Sequence, residues 1–498
     1  MPASGIMRGM LKIYNSLTKK VQEFKPLHPL QVGMYTCGPT VYSFAHIGNF
    51  RTYTMADILL RVLQYNGYEV TYIMNLTDVG HLTGDNLGDA DLGEDRMEKA
   101  AQKEGKTAWE IAEFYSDVFI KDFEKLNLEK PKKFTKATDH IKEQIDLVKK
   151  LEDKGFAYRT SDGIYFDTAK FKNYGELSSL DQIKAGARVE INPEKKNQRD
   201  FALWKFSYPD GVTFKEYLAK TGKKADEVSK RQMEWKSPWG MGFPGWHIEC
   251  SAMSMKYLGV PFDIHTGGID LKETHHPNEI AQAEAATDKK FVDFWVHGAF
   301  ILVNGERMSK SKGNLYTVYD LEKEGYDVLA LRYLYLQTHY RQEMNFTFES
   351  LDAAQNAFKK LVVEISHWED PSESQGRVPA GIIEDFEKRF LDALNNDLNT
   401  AEALAVMWEV VKSPYPTGPK TRLLFKMDRV LGLNLQELSL QLRNAQGIVP
   451  GHVRKLVEER QHLRKQRKFN AADQIRAQIE KLGYELEDTK KGPKVTKK

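Results

Sequence analysis

A parallel α/β fold, interrupted by an insertion and followed by an almost wholly helical C-terminal half, is predicted by three features of this chain. A strand, a glycine-containing loop, a helix and a second strand succeed one another between residues 31 and 76. A further strand running into a glycine loop occupies Phe262–Gly268. Beyond Asn314 the pattern is helical nearly throughout.

Gln31-Val32-Gly33-Met34-Tyr35-Thr36 is short and apolar enough for a buried strand. From Thr54 to Tyr65, Met55, Ile58, Leu59, Val62 and Leu63 recur at helical spacing. Glu69-Val70-Thr71-Tyr72-Ile73-Met74 is rich in β-formers and predicts the next strand. This is a βαβ unit of the nucleotide-binding type, and its right-handed crossover makes the sheet parallel. From Ala108 to Lys154 the pattern is helical and charged. Tyr158 to Trp204 then alternates short strands and turns, as in Gly163-Ile164-Tyr165-Phe166-Asp167, and reads as an insertion between two halves of the nucleotide fold. The Lys/Glu-rich stretch within Phe206–Gln232 predicts a surface helix or loop. The α/β pattern resumes at Pro244, and His276 to Ala286 predicts a helix. Ser413-Pro414-Tyr415-Pro416-Thr417-Gly418-Pro419 breaks the later helices.

At 498 residues several domains are expected, and 41% hydrophobic with 29% charged residues fits a soluble globular protein. No apolar run reaches the length of a membrane span, and Met1-Pro2-Ala3-Ser4-Gly5 leads into no signal-peptide core. Two cysteines make no disulfide framework, so a reducing cytoplasm is the expected compartment. The net charge of +2 hides a basic end: the last fifty residues hold 14 Lys/Arg against 7 Asp/Glu, a footprint suited to RNA phosphates. Leu456 to Leu482 predicts a helical pair exposing Arg460, Arg464, Lys465, Arg467 and Lys468, with a mobile tail from Lys490 to Lys498.

The only two cysteines sit in dense motifs. Cys37 lies in Tyr35-Thr36-Cys37-Gly38-Pro39-Thr40, and Cys250 closes Gly245-Trp246-His247-Ile248-Glu249-Cys250. Each is expected at the end of a strand, where open α/β sheets hold ligands. His275 and Glu279, one helical turn apart, can present imidazole and carboxylate on one face. Two thiolates, an imidazole and a carboxylate make a four-ligand zinc set that could bind a small thiol. At this point either His275 or His276 can supply the imidazole. The competing reading makes both cysteines small buried hydrophobes.

His46-Ile47-Gly48-Asn49 falls between the first strand and its helix. Gly48 permits close approach of a nucleotide, while His46 and Asn49 can donate to phosphate oxygens beside the helix N-terminus. Gly305-Glu306-Arg307-Met308-Ser309-Lys310-Ser311-Lys312-Gly313-Asn314 is a glycine-bounded cationic loop suited to clamping a triphosphate.

Together these segments resemble the cysteinyl-tRNA synthetases, a family of class I aminoacyl-tRNA synthetases. His46–Asn49 is similar to the family's HIGH signature and Arg307–Ser311 to KMSKS. Gly245–Met253 and Phe262-Asp263-Ile264-His265 are more diagnostic still, and the likeness runs from Met10 to the basic tail. The resemblance implies a split Rossmann-type sheet with an inserted peptide and an all-helical C-terminal half. It implies a first catalytic half over 1–125, a connective peptide over 126–241 and a second half with the zinc site over 242–300. The KMSKS loop and stem-contact region then span 301–350, a helical bundle 351–435 and an anticodon-binding region 436–498.

The resemblance also implies one zinc per chain on Cys37, Cys250, His275 and Glu279, choosing His275 over His276. Catalytic roles fall to His46, Asn49 and Lys310. ATP contacts fall to His46, Gly48, Asn49, Asp270, Met308, Ser309, Lys310 and Ser311, and the cysteine pocket to Thr77, Trp246 and His265. Magnesium is expected with ATP. L-cysteine and tRNA(Cys) are the expected partners of a cytoplasmic monomer. The expected reaction is attack of the cysteine carboxylate on the ATP α-phosphate, then transfer from cysteinyl-adenylate to a terminal tRNA ribose. Thiophilic zinc binds serine's hydroxyl more poorly than a thiolate. An apolar pocket would separate near-isosteres by only about 1–3 kcal/mol, so ligation removes the need for an editing domain.

Asn49 stands where HIGH ends in His, and Arg307 where KMSKS begins with Lys, keeping charge but changing geometry. The acidic stretch with Asp85, Asp89, Asp91, Glu94 and Asp95 is expected to be a solvated loop. A rival assignment is a cysteine ligase acting on an amino-sugar in thiol biosynthesis, against which the long helical and basic C-terminal region argues. A second rival is a zinc-stabilised RNA-binding protein without catalysis, against which Ser309-Lys310-Ser311 and His46 argue.

Overall fold

The computed structural model describes residues 9–80, 82, 95–178, 192–309, 312–368, 377–445, 449, 451–489 and 492–497. The chain divides into two compact units, one of Met1–Val328 with Tyr340–Phe346 and one of Leu329–His339 with Thr347–Lys498.

In the first unit a hairpin of β1 (Lys12–Asn15) and β2 (Lys20–Glu23) precedes β3 (Gln31–Thr36), α1 (Ile47–Tyr65) and β4 (Glu69–Leu76). Next come α2 (Arg96–Glu104), α3 (Ala108–Lys125), β5 (Lys133–Lys136) and α4 (Ile141–Asp153). The insertion carries β6 (Ala157–Thr160), β7 (Gly163–Phe166), β8 (Phe201–Phe206), α5 (Phe214–Thr221), β9 (Trp235–Ser237) and β10 (Gly240–Pro244). The chain returns through α6 (Trp246–Leu258), β11 (Phe262–Gly268), α7 (His275–Thr287) and β12 (Val292–Gly298).

The main sheet has the order β12-β11-β3-β4-β5, and every pair in it is parallel. The winding reverses between β3 and β11, so their carboxyl ends flank the crevice where such sheets bind ligands. Thr36 and Thr266 face each other there, with their hydroxyl oxygens 2.6 Å apart. β5 places residues 133–136 in this sheet, beyond the boundary at 125/126 expected from sequence. Lysines at both ends disguise the strand; only Thr135 is fully buried in it.

The insertion forms a five-stranded sheet ordered β6-β7-β8-β10-β9, all antiparallel. Its buried Trp204, Ile164 and Phe166 share one core with Leu147, Val148 and Leu151 of α4, Ile248 and Ala252 of α6, and Ala281 and Ala285 of α7. The antiparallel sheet is therefore packed against the helices that carry Cys250, His275 and Glu279. Within Phe206–Gln232 the expected surface helix is α5, which buries no residue.

The strands β13 (Ile301–Val303), β14 (Glu306–Arg307) and, after α8 (Val318–Lys323) and α9 (Val328–Leu336), β15 (Met344–Phe346) form a small sheet. It presents the loop between Arg307 and Asn314.

The second unit is helical: α10 (Phe348–Ser366), α11 (Ile382–Asn395), α12 (Thr400–Lys412), α13 (Thr417–Leu431), α14 (Leu435–Ala445), α15 (Gly451–Lys465) and α16 (Phe469–Lys481). Arg332 is wholly buried in it, its Nε donating to the Leu431 carbonyl at 2.7 Å. The unit ends in an antiparallel hairpin of β16 (Tyr484–Thr489) and β17 (Gly492–Lys497), where the sequence predicted a mobile tail. Val453, Val457, Ile475, Ile479 and Leu486 bind α15, α16 and the hairpin into one cluster.

Arg460 is a second correction: it is 2% exposed, not on the surface, because its guanidinium forks onto both Asp488 oxygens at 2.8 Å. Hydrogen bonds from Arg460 and Arg464 hold the Asp488 carboxyl well below its ordinary range. Arg460→Ala should loosen the hairpin by about 1–2 kcal/mol, a charge-assisted bond discounted for the exposure of Asp488. Hydrogen exchange over 484–497 measures it. Because the folded Asp488 pKa is depressed, this contribution is fully present above the ordinary carboxylate range and is lost as pH falls below that range toward the lowered folded value.

Candidate active site and metal centre

Cys37 follows directly on β3, and its backbone N–H donates to the Thr266 carbonyl of β11 at 3.1 Å. Gly38 then passes so close to the end of β4 that a Cβ would lie 1.8 Å from the Asn75 carbonyl oxygen. The Asn75 side chain ties the corner, accepting from the Gly38 N–H at 2.8 Å and donating to Thr77 Oγ1 at 3.1 Å. Cys250 is not at a strand end, as the sequence suggested. It lies inside α6, which starts straight after Gly245. A Cβ on Gly245 would meet the Ala202 carbonyl at 2.0 Å, and this close turn ends β10 early and leaves Trp246–Cys250 helical. His275 opens α7 and Glu279 follows one turn later, with Pro277 tolerated in that first turn.

These elements bring the four predicted ligands together. Cys37 Sγ lies 3.7 Å from Cys250 Sγ and 3.6 Å from Glu279 Oε1, and His275 Nε2 lies 3.1 Å from the same oxygen. One donor atom from each of Cys37, Cys250, His275 and Glu279 falls within 4.8 Å of every other, and all four residues are buried. A second set, Cys37, His265, His276 and Glu279, satisfies the same criterion. In it, His276 Nε2 is 3.5 Å from Cys37 Sγ, and its Nδ1 is 2.8 Å from His297 Nε2. His297 Nδ1 is in turn 2.8 Å from Ser16 Oγ.

The electrostatics are those of a closed, charge-separated pocket. Burial pushes the Cys37 thiol well up. Cys250 resists the same burial because hydrogen bonds from Cys37 and His275 draw it down to about 6. Burial would also raise Glu279, but His265 and His275 outweigh it and bring the carboxyl to about 2. His275, against the pull of burial, is raised to about 10 by Glu279 and Cys250. His276 goes the other way, lowered by burial and by neighbouring imidazoles. Two thiols, an imidazole and a carboxylate converging out of water suit a thiophilic divalent ion, whose charge would offset the anionic donors.

His265 extends the pocket: Nε2 is 3.0 Å from Glu279 Oε2 and the ring stacks on Trp295 at 4.6 Å. The Trp246 ring lies 4.4 Å from that of His275. Three groups escaped the sequence reading. His247 backs His275, Nδ1 to Nδ1 at 2.9 Å; its place in Gly245–Cys250 was the available signal. His297 stands in no motif. Glu249 is fully buried, neither carboxylate oxygen meets a partner at hydrogen-bond geometry among the described residues, and burial, opposed only in part by nearby Thr77 and His275, raises its carboxyl well above the ordinary range.

The nucleotide motifs meet on the same sheet edge. His46 is the N-cap of α1: Nδ1 accepts from the Asn49 N–H at 3.2 Å, and Asn49 Oδ1 accepts from the His46 N–H at 3.0 Å. In neutral His46 this leaves Nε2 as the protonated, donating nitrogen. Ile47 N–H donates to the Tyr316 carbonyl at 2.9 Å, pinning the chain that follows the cationic loop to the start of α1. Met308 lies over Gly48, its Cε 2.4 Å from where a Cβ would stand. The Ser309 N–H donates to Asn314 Oδ1 at 2.9 Å and Lys312 pairs with Glu306 at 2.9 Å. Lys310 and Ser311 lie outside the described residues, as does most of the acidic stretch after Gly80. Asp270 sits in the turn after β11.

Residues 23–356 match the family described as tRNA synthetases class I (C) catalytic domain, and residues 389–413, from the second half of α11 to just past α12, match the DALR domain. The chain is 46% identical over 488 residues to cysteine–tRNA ligase 1 of Burkholderia lata, covering 97% of this chain and 96% of that one. It is 40% identical over 502 residues to the cysteine–tRNA ligase of Treponema denticola, with 96% and 98% covered. Identity to the Methanococcus maripaludis ligase is 39% over 510 residues, with 98% and 99% covered. Among solved structures, Mycobacterium tuberculosis methionyl-tRNA synthetase bound by methionyl-adenylate superposes with a TM-score of 0.53 at 13% identity, over 84% of this chain and 93% of that one; this likeness is one of fold. On a catalytic-domain match spanning most of the first unit, and on near-complete coverage by relatives of this identity, the chain belongs to the cysteine–tRNA ligase family of class I tRNA synthetases.

Proposed function

We propose that this chain attaches L-cysteine to tRNA(Cys), using ATP and passing through cysteinyl-adenylate. The supporting observation is the buried Cys37–Cys250–His275–Glu279 quartet at the sheet edge from which α1 departs with His46 as its cap. A zinc ion on this quartet, one per chain, would supply a thiophilic Lewis acid that favours the substrate's thiolate over serine's hydroxyl. Trp246 walls the pocket beside His275, and His265 holds Glu279 in place. Thr77, fixed through Asn75, offers a hydroxyl at the adjoining strand end.

The amino acid's own carboxylate is the nucleophile, so no protein nucleophile is required. His46 Nε2–H, the Asn49 side-chain amide and the positive end of the α1 dipole favour phosphate oxygens at this edge. Gly48 keeps the start of α1 free of a Cβ, with Met308 across from it; Ser309, Lys310 and Ser311 are assigned to ATP from the motif alone, and Asp270 to the neighbourhood of the nucleotide. Lys310 stabilises charge that builds on the α-phosphate and departing pyrophosphate more than it stabilises bound ATP. Magnesium accompanies the triphosphate. The acyl group then passes to the terminal ribose hydroxyl of tRNA. The enzyme works as a cytoplasmic monomer, with residues 436–498 reading the anticodon. An amino-sugar acceptor would leave these helices without a task.

Exchange of labelled pyrophosphate into ATP, with cysteine and serine run in parallel and metal determined on the same sample, tests this reading. Exchange should depend on cysteine and be more than about a thousandfold slower with serine, as for a site built around one polar contact. Absence of exchange from metal-loaded protein would overturn it.

A further inference from the structure

Two large aromatic rings stand exposed next to the start of α1. Phe44, two residues ahead of His46, is 44% exposed, and Phe114 of α3 is 42% exposed. Their centroids are 6.3 Å apart at 71°. Tyr115 is buried behind them, 5.1 Å from each, and is anchored by its hydroxyl to Glu104 at 2.7 Å. Cations rim this platform. Lys106 Nζ stands 4.6 Å over the Phe114 ring, and Arg96 lies 5.4 Å over Tyr42 while donating to its hydroxyl at 2.7 Å. Along α2, Arg96, Lys99 and Lys103 share one helix face by their spacing, against Glu98 and Glu104. Glu104 also pairs with Lys106 at 3.0 Å, so the rim is net basic without being uniformly so.

Single exposed apolar residues need no explanation, but clustered rings under cations have the makeup of a single-strand nucleic-acid surface. Bases stack on the rings and phosphates meet the rim, with little dependence on sequence. The location selects the occupant. The loop that carries Phe44 ends in the α1 cap at the sheet edge where the adenylate forms, and the acceptor ribose has to arrive there. We propose that Phe44 and Phe114, with Arg96 and Lys106, hold the unpaired 3′ end of tRNA during acyl transfer. This rests on the aminoacylation reading above and adds to it the surface on which the acceptor end lies.

The test separates the two. Cysteine-dependent pyrophosphate exchange needs no RNA, so its absence from the wild type would speak against the aminoacylation reading alone. Affinity is then measured at fixed salt for tRNA(Cys) and for the same tRNA trimmed of its unpaired 3′ nucleotides. The wild type should prefer the full molecule about tenfold, the size expected for stacking on this scale. The double variant Phe44→Leu with Phe114→Leu keeps apolar volume and loses the rings. It should exchange pyrophosphate within twofold of wild type yet bind full and trimmed tRNA equally. Phe44→Tyr with Phe114→Tyr should restore the preference. A leucine variant that retains the tenfold preference, or a wild type that shows none, overturns the proposal; the latter would be the result if the platform receives a protein instead.

Discussion

Cys250→Ser should strip the protein of its metal and slow cysteine-dependent pyrophosphate exchange by more than about 100-fold, the upper range for loss of a residue that merely supports a ligand. Cys250 is 1% exposed and its sulfur interacts with both Cys37 and His275, so solvent does not readily replace it as a donor. A serine hydroxyl stays protonated at neutral pH and is a poor partner for a soft ion. Metal analysis and exchange, done on one preparation, should fall together. Activation that survives without metal would sink the selector model. The same chemistry sets a pH dependence. In the metal-free protein His275 holds its proton up to about 10, and an imidazole must lose that proton to ligate. Metal affinity should therefore rise with pH across the neutral range.

Gly38→Ala should cost activity and stability together. The new methyl would stand 1.8 Å from a backbone oxygen, and backbone cannot rotate away as a side-chain tip can. Overpacking of this kind costs about 1–3 kcal/mol, and this contact is tighter than most. The displaced atoms carry Cys37 on one side and the Asn75–Thr77 corner on the other, so exchange should drop beyond what the lost stability explains. Gly298→Ala, at the same edge of the sheet, is the control. Its Cβ would meet Met55 and Thr52 no closer than 3.6 Å, so it should be tolerated within about 0.5 kcal/mol. Thermal unfolding and exchange rates, measured on both variants, check the contrast.

Although β12 went unassigned, β3, α1, β4 and β11 were legible because apolar and β-branched residues recur along them at strand or helix spacing beside glycine-containing loops. β5 was not, since four residues flanked by lysines carry no pattern; its place comes from pairing with β4. The ligand quartet was recoverable from motif and resemblance, but the backbone that presents Cys250 was misread. Strand and helix meet at Gly245 with no polar cap to mark the boundary. The imidazoles behind the quartet were the least legible. His276 reaches Cys37, and His297 reaches Ser16 beyond β1 across 281 positions, contacts that exist only once the sheet and the N-terminal hairpin are assembled. At the far end, Arg460 counted as a surface cation by composition, while Asp488 in the following hairpin draws it inward.

The quartet is assembled across the insertion: Cys37 and Glu279 are separated by 242 positions in the chain. A ribosome adding about 5–20 residues per second would take roughly 10–50 s to make that stretch. Until Cys250 is made, 213 positions on, the nascent Cys37 thiol has none of its three companions, and the set is complete only with Glu279. Metal loading is thus necessarily a late event in biosynthesis, and oxidant exposure early in synthesis would strike this sulfur before any ion could shield it.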